Sequence, residues 1–266
     1  MKKFLFLSDM HSGSVYGLMP PQVKEKTASG DDELVHVPSA SQVWLLDRWN
    51  EMLDTIGKER VHVCVCNGDS CDGLHKKGNG YMLWTTNLDV QVQSAVELLK
   101  MVKAKTYALT MGSGYHVGEN MCLDEVVATR LEPFAKSHFS ADLALNDEEE
   151  GVRIHCAHYI GVSTSSWQYP STPLAKELVM ALLNEKEYGV FDVLVRSHAH
   201  YYCMVELGSH FAVITPAWQL RTPYEVKIGL SMLPQIGYVF MEVQHGKIWK
   251  EKKIWSPKSP IREVRL

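Results

Sequence analysis

The apolar positions of this chain fall into short blocks, and the spacing inside the blocks switches between two periods. Residues 3–8 carry the continuous run Phe4 to Leu7, the pattern of a strand buried on both faces. RVHVCVC at 60–66, KTYALTM at 105–111, GVRIHCAH at 151–158 and VFDVLVRS at 190–197 predict further strands, rich in β-branched residues. Between them the period lengthens. Val43, Leu46, Trp49, Leu53 and Ile56 recur at helical spacing, which predicts a helix over 41–57 capped by Ser41 and ended by Gly57. Helices are also predicted over 88–104, 121–131 and 173–189, the last with Pro173 near its start and Gly189 at its close. Four more strands are predicted at 201–207, 210–215, 237–244 and 247–255. Residues 12–40, with Gly13, Gly17, Pro20, Pro21 and SGDD at 29–32, read as one long loop. Strand and helix alternate through the first two-thirds, and strands dominate the last third. That order implies a layered α/β architecture around a central pair of sheets. No linker, repeat or low-complexity block interrupts residues 1–266, so a single domain is expected.

Composition narrows the class. Hydrophobic residues make up 45% and charged residues 22%, which suits a globular protein. No apolar stretch approaches the roughly 20 residues of a membrane helix, so no membrane association is expected. The apolar run behind Lys2 and Lys3 is cut off by SDMHSG, too early for a signal peptide. Six cysteines without a CxxC pair read as free, mostly buried thiols of a reducing, cytoplasmic compartment. The net charge is −4, with +5 in the last twenty residues and −9 in the remainder. An acidic body argues against sequence-independent grip on long DNA, and the basic tail is read as a solvated terminal strand.

Polar chemistry collects where the strands end. The first strand stops at Asp9 and His11, and side chains at i and i+2 of an extended chain point to one side. A carboxylate and a neutral imidazole so placed suit zinc, manganese or iron. The second strand ends in NGDSCDG, with Asp69 and Asp72. The third ends in MGSGYHVGE, with Gly112, Ser113 and His116. The fourth ends in HCAHYIG, with His155 and His158, and the fifth in RSHAHYY, with His198 and His200. Any one of these histidines read alone is a satisfied structural side chain. Five successive strand ends bearing carboxylates or imidazoles are another matter, because parallel strands bring them together. Divalent cations would balance such a set.

In this order, D-x-H, G-D-x-x-D, a glycine turn with His, a single His and H-x-H, spread over residues 5–200, resemble the calcineurin-like metallophosphoesterase superfamily. GDSCDGLHKKG, GSGYHVG and TPAWQLRTPY resemble its bacteriophage-associated members. The resemblance implies a four-layer α-β-β-α sandwich with two divalent metal ions, manganese first, with zinc, iron, nickel or magnesium as alternatives. It implies Asp9, His11 and His200 on one metal, Asp69 bridging, and His158 and His198 on the other. It also implies a metal-bridging hydroxide that attacks phosphorus in line. At the third motif the family carries Gly-Asn-His, in which Asn binds the second metal and His protonates the leaving group. Here Ser113 follows the glycine and the histidine arrives two residues late as His116, with Tyr115 the other occupant of the Asn place. A weaker second site is therefore expected, with Ser113 as a poor ligand and His116 as the general acid. His155 competes with His158 as ligand, and His158, nearer the strand end, is preferred. Asp72 reads either as catalytic support that orients a ligand or as an Asx turn with Gly73. His75 is a candidate substrate contact, while Lys76 and Lys77 read as a solvated loop. Trp218 reads as core, with base stacking as the other option. The expected activity is phosphodiester hydrolysis, with nucleic acid or nucleotide as substrate, in the host cytoplasm if the chain is phage-encoded. Its rivals are a phosphomonoesterase, acting on proteins or nucleotides, and a metal-stabilised binding module without turnover. The oligomeric state is not encoded in these patterns.

Overall fold

The computed structural model describes residues 1–27, 30, 32–57, 60–74, 80–117, 122–161, 169–227 and 233–257. In chain order the first elements are β1 (Lys2–Leu7), β2 (Val23–Lys26), β3 (Glu33–His36), α1 (Ala40–Ile56), β4 (Val63–Cys66), α2 (Leu88–Met101) and β5 (Thr106–Thr110). The middle holds α3 (Gly114–Val117), α4 (Leu123–Leu131), β6 (Lys136–Ser140), β7 (Asp142–Asp147), β8 (Val152–Ala157), α5 (Thr172–Leu183) and α6 (Glu185–Tyr188). The last part holds β9 (Val193–Arg196), β10 (Cys203–Leu207), β11 (His210–Ile214), α7 (Pro223–Lys227), β12 (Ile236–Gln244) and β13 (Lys247–Trp255).

Two sheets face each other. One has six strands in the order β13-β12-β1-β4-β5-β6, with β1, β4, β5 and β6 parallel. The other has five in the order β10-β11-β9-β8-β7, with β11, β9 and β8 parallel. The period-two alternation inside each strand builds the layers. Phe4, Phe6, Val63 and Val65 point inward to meet Ile154, Cys156, Val193 and Val195 of the second sheet. Leu5, Leu7, Cys64 and Cys66 point outward beneath Leu45, Trp49, Leu98 and Val127 of α1, α2 and α4. On the far side Leu174 and Leu178 of α5 cover Leu194, Ala212 and Ile214. The result is a four-layer α-β-β-α sandwich.

Several expectations are corrected. The stretch 12–40 contains the hairpin β2-β3, paired from Val23↔His36 to Lys26↔Glu33. Helix α1 is capped by Ser39, not Ser41, because Gln42 at the third helical position returns the hydrogen bond and closes a capping box. The buried face of α1 runs through Gln42, Leu45, Leu46, Trp49, Met52 and Ile56, leaving Val43 exposed. The single helix expected over 173–189 breaks at Asn184, which leaves helical φ/ψ while its side-chain amide bonds the Met180 carbonyl. Strands β6 and β7 were not predicted, since each is a sheet-edge strand with a half-exposed, polar sequence. Trp218 is core, edge-on to Trp49 at 4.9 Å between ring centroids. All six cysteines are free, four of them buried. Among the described residues no helix is long and apolar enough to cross a membrane.

Candidate metal centre

The loops that leave β1 and β4 stay paired beyond the strands. Asp9 N–H donates to the Gly68 carbonyl at 3.1 Å, His11 N–H to Asp69 at 3.0 Å and Ser12 N–H to Ser70 at 3.0 Å. This doubled turn carries Asp9, His11 and Asp69 into the gap between the sheets, where the second sheet delivers His158, His198 and His200. Neither D-x-H nor H-x-H is extended, contrary to expectation. Asp9, His11, Asp69, His198 and His200 all lie at positive φ, between 46° and 67°, so the pairs converge through left-handed turns, not through the strand pleat. Two glycines permit the close approach. A Cβ on Gly68, itself at φ 82°, would collide with the His158 ring, and one on Gly112 would overlap the Asp69 carboxylate.

Among the described residues, three sets of ligand atoms gather within 4.8 Å: Asp9, His11 and His200; Asp69, His158 and His198; and His11, Asp72 and His116. The first two share their carboxylates. Asp9 Oδ1 lies 3.2 Å from His200 Nε2 and 3.9 Å from both His11 Nε2 and His158 Nε2. Asp69 Oδ2 lies 3.1 Å from His158 Nε2 and 4.0 Å from His11 Nε2. The third set has a simpler content. His11 Nδ1 donates to Asp72 Oδ1 at 2.9 Å, and His116 Nδ1 donates to the Asp72 carbonyl at 2.8 Å. Asp72 therefore holds two imidazoles and does not merely close a turn. His158 Nδ1 donates to the Asn67 carbonyl at 2.7 Å, and His200 Nδ1 faces Glu225 Oε1 at 3.5 Å. Anchored through Nδ1, the imidazoles of His11 and His158 turn Nε2 inward, and His200, with Nδ1 within ion-pair reach of Glu225, turns Nε2 toward Asp9.

Charge in the cluster is polarised. Burial alone would raise Asp9 and Asp69, but the imidazoles outweigh it. His200 and His158 hold Asp9 below the usual carboxylate range, and His158 and His116 do the same for Asp69. Burial alone would lower His158 and His200. The Asp69 and Asp9 carboxylates instead lift His158 to about 9, and Asp9 with Glu225 lifts His200 to about 10. His116 falls to about 4 because burial dominates, and burial with a cationic His158 lowers His198. Among the described residues, Asp9 Oδ1, His11 Nε2 and His158 Nε2 are buried without a hydrogen bond. Each such atom costs roughly 1–3 kcal/mol unless something answers it. A donor set of carboxylate oxygens and imidazole nitrogens with these unanswered atoms fits divalent metal ions.

The remaining expected residues sort as follows. Ser113 donates its backbone N–H to Asp69 Oδ1 at 2.8 Å, and its hydroxyl lies 3.2 Å from Oδ2, so it grips the carboxylate. Tyr115 is exposed beside His116. His155 is outside the centre, 3.3 Å from Arg196 Nη1. His75, Lys76 and Lys77 lie outside the described residues. Three contributors were missed from the sequence. Asn67 and Glu225 back the imidazoles, and buried Asp124 ties the two loops by accepting from Ser70 N–H at 3.0 Å and Gly112 N–H at 2.9 Å. Only Asp124 had a visible signal, an acid in the first turn of a predicted helix.

No family model and no curated protein matches the chain. Among solved structures it is similar to an archaeal phosphodiesterase, at 12% identity and TM-score 0.46, covering 94% of this chain and 99% of that one. It is also similar to zinc-complexed Vps29 from Entamoeba histolytica, at 13% identity and TM-score 0.45, covering 95% and 98%. Vps29 from Cryptosporidium parvum gives 16% identity and TM-score 0.46, covering 96% and 98%. At these scores the likenesses do not bear on what the chain does.

Proposed function

We propose that this protein is a metal-dependent phosphoesterase that hydrolyses phosphodiesters, with nucleic acid or nucleotide linkages as the substrate class. The observation that carries the reading is the pair of Asp-His-His sets whose carboxylates reach across to each other's imidazoles. Asp9, His11 and His200 would hold one divalent ion and Asp69, His158 and His198 a second, with Asp69 directed at both. Manganese is the expected metal, and zinc, iron, nickel or magnesium also suit parts of the donor set. When bound, such ions neutralise phosphoryl charge and make water a better nucleophile.

The chain's own residues supply orientation and a proton. Asp72, Asn67 and Glu225 fix the ligand imidazoles from behind, and Ser113 and Asp124 fix the loop that carries Asp69. In the free protein burial keeps His116 neutral, with its proton on Nδ1 against the Asp72 carbonyl. A phosphate anion beside the ring raises its proton affinity, so Nε2 can hold a proton and pass it to the leaving oxygen. With Ser113 in the Asn place, the second set is the weaker one. The free thiols support a cytoplasmic setting, that of the host if the chain is phage-encoded.

The test pairs elemental analysis with hydrolysis of bis-p-nitrophenyl phosphate and p-nitrophenyl phosphate in added manganese. Up to two metals per chain and faster cleavage of the diester are expected, and Asp69→Asn should remove both metal and turnover. Faster cleavage of the monoester would make the protein a phosphomonoesterase. Bound metal without cleavage of either ester would make it a binding module.

A further inference from the structure

Of the four imidazoles in the two Asp-His-His sets, three are backed by a polar group and one is not. His11 bonds Asp72, His158 bonds the Asn67 carbonyl, and His200 has Glu225 within ion-pair reach. Among the described residues nothing hydrogen-bonds the His198 ring. The bond from this residue to Asp9 Oδ2, at 3.4 Å, comes from its backbone N–H. The ring is met by other rings instead. Tyr159 lies 4.9 Å from it at a 33° tilt, and His158 stands edge-on at 5.2 Å. The backbone sets up the tyrosine contact. Strands β8 and β9 are parallel, in a register that runs from Ile154↔Val193 to Cys156↔Val195. Ser197 N–H extends the pairing by donating to the His158 carbonyl at 2.9 Å. The same register places Tyr159 opposite His198, so the two rings meet just beyond the last bond. Tyr159 is itself 63% exposed and belongs to none of the apolar clusters of the core.

Resting on the reading that Asp69, His158 and His198 hold a divalent ion, we propose that Tyr159 is the positioning residue of His198. The ring contact does for this ligand what a polar partner does for the other three. Two effects favour the metal-bound state. The phenol ring restricts rotation of a half-buried imidazole whose backbone is already turned to φ 67°, so less freedom is lost when metal binds. A coordinated imidazole also carries part of the charge of the ion, and the negative face of an aromatic ring attracts it. Affinity at the second set therefore depends on a residue that supplies no ligand atom.

Manganese binding to the metal-free protein, followed by the EPR signal of the free ion, tests this without turnover. His198→Ala marks the binding class that belongs to the second set. Tyr159→Ala should weaken that class roughly 2- to 12-fold, the worth of one aromatic pair. The other class should bind as in the wild type. Tyr159→Phe keeps the ring and should match the wild type in both classes. In the His198→Ala background, Tyr159→Ala should change nothing further, because the contact it removes is already gone. Unchanged binding in Tyr159→Ala leaves the metal centre standing and overturns this inference. So does equal weakening of both classes, or weakening that persists in the His198→Ala background, either of which would make Tyr159 a general structural residue. Failure of the wild type to take up manganese, or binding that His198→Ala leaves untouched, overturns the metal reading of this set and this inference with it.

Discussion

Asp9, His11, Asp69, His198 and His200 hold a left-handed backbone that side chains with a Cβ avoid, at a cost on the order of 1–2 kcal/mol each. Among the described residues only Lys103 and His245 share that conformation without glycine. Strain of this kind persists where the surroundings enforce it and it concentrates at functional sites. The sequence made all five residues visible, four of them as members of extended pairs and Asp69 at a strand end, because spacing reveals neighbours and not φ. Glu225 was invisible for a different reason. It lies 25 residues beyond His200, in a short helix with no ligand pattern of its own. Replacing it with alanine is expected to weaken metal binding about 10- to 100-fold, read by competition with a chromophoric chelator, with a smaller effect for Glu225→Gln. His116→Ala is expected to cost roughly 10²–10⁴-fold on diesters with alkoxide leaving groups. It should cost much less on p-nitrophenyl esters, whose leaving group needs little protonation, with metal content unchanged. Equal losses on both, with metal missing, would make His116 a ligand.

At the scale of elements, central strands were legible, whereas of the four edge strands of the two facing sheets β10 and β13 were read and β6 and β7 were not. A strand buried on both faces writes itself as a block of apolar residues, as in β1, β4 and β9. An edge strand such as β6, with the sequence KSHFS, needs only half a face and leaves no such block. Strand β13 could be read because its apolar positions survive among lysines, which on an exposed edge also discourage pairing with another chain. Helix starts depend on reciprocal pairs: Ser41 was read as the cap, but Gln42 returns its bond to Ser39. Ser39→Ala should therefore destabilise the protein by about 0.5–2 kcal/mol, while Ser41→Ala should be close to neutral. Urea denaturation with unchanged m-values would check both.

For the whole molecule, the metal-free centre dictates an unusual pH profile. His158 and His200, raised to about 9 and about 10, bind protons more tightly folded than unfolded. Their contribution is complete below the unfolded value near 6.5 and disappears as pH climbs through 9 and 10. Asp9 and Asp69, held low, contribute above the ordinary carboxylate range and lose that contribution as pH falls through their folded values. His116 and His198, held low by burial, bind protons less tightly folded than unfolded and lose their contribution as pH falls below the unfolded value near 6.5. Stability of the metal-free protein is thus expected to crest near neutral pH and to decline into both the acidic and the alkaline range. Divalent metal competes with the same protons, so in saturating manganese the alkaline decline should flatten. Thermal melts from pH 5 to 10, with and without metal, give the comparison. A metal-free melting temperature that rises between pH 7 and 9 would contradict the assigned ion pairs.

Each Asp-His-His set draws on both sheets: loops after β1 and β4 supply the acids, and loops after β8 and β9 supply imidazoles. An occupied centre is therefore a clasp across the open end of the sandwich. It joins positions 9 and 200, whose separation along the chain makes their encounter late in folding and costly in loop entropy. Without the clasp the two sheets can breathe as separate cooperative units, held only by the apolar layer between them. With it, opening one sheet means releasing metal from the other. Amide exchange at Val65 in β4 and Val195 in β9 is expected to differ in metal-free protein and to merge into a single slow opening once metal is added. The candidate metal centre would then double as the fastener that makes two sheets behave as one body.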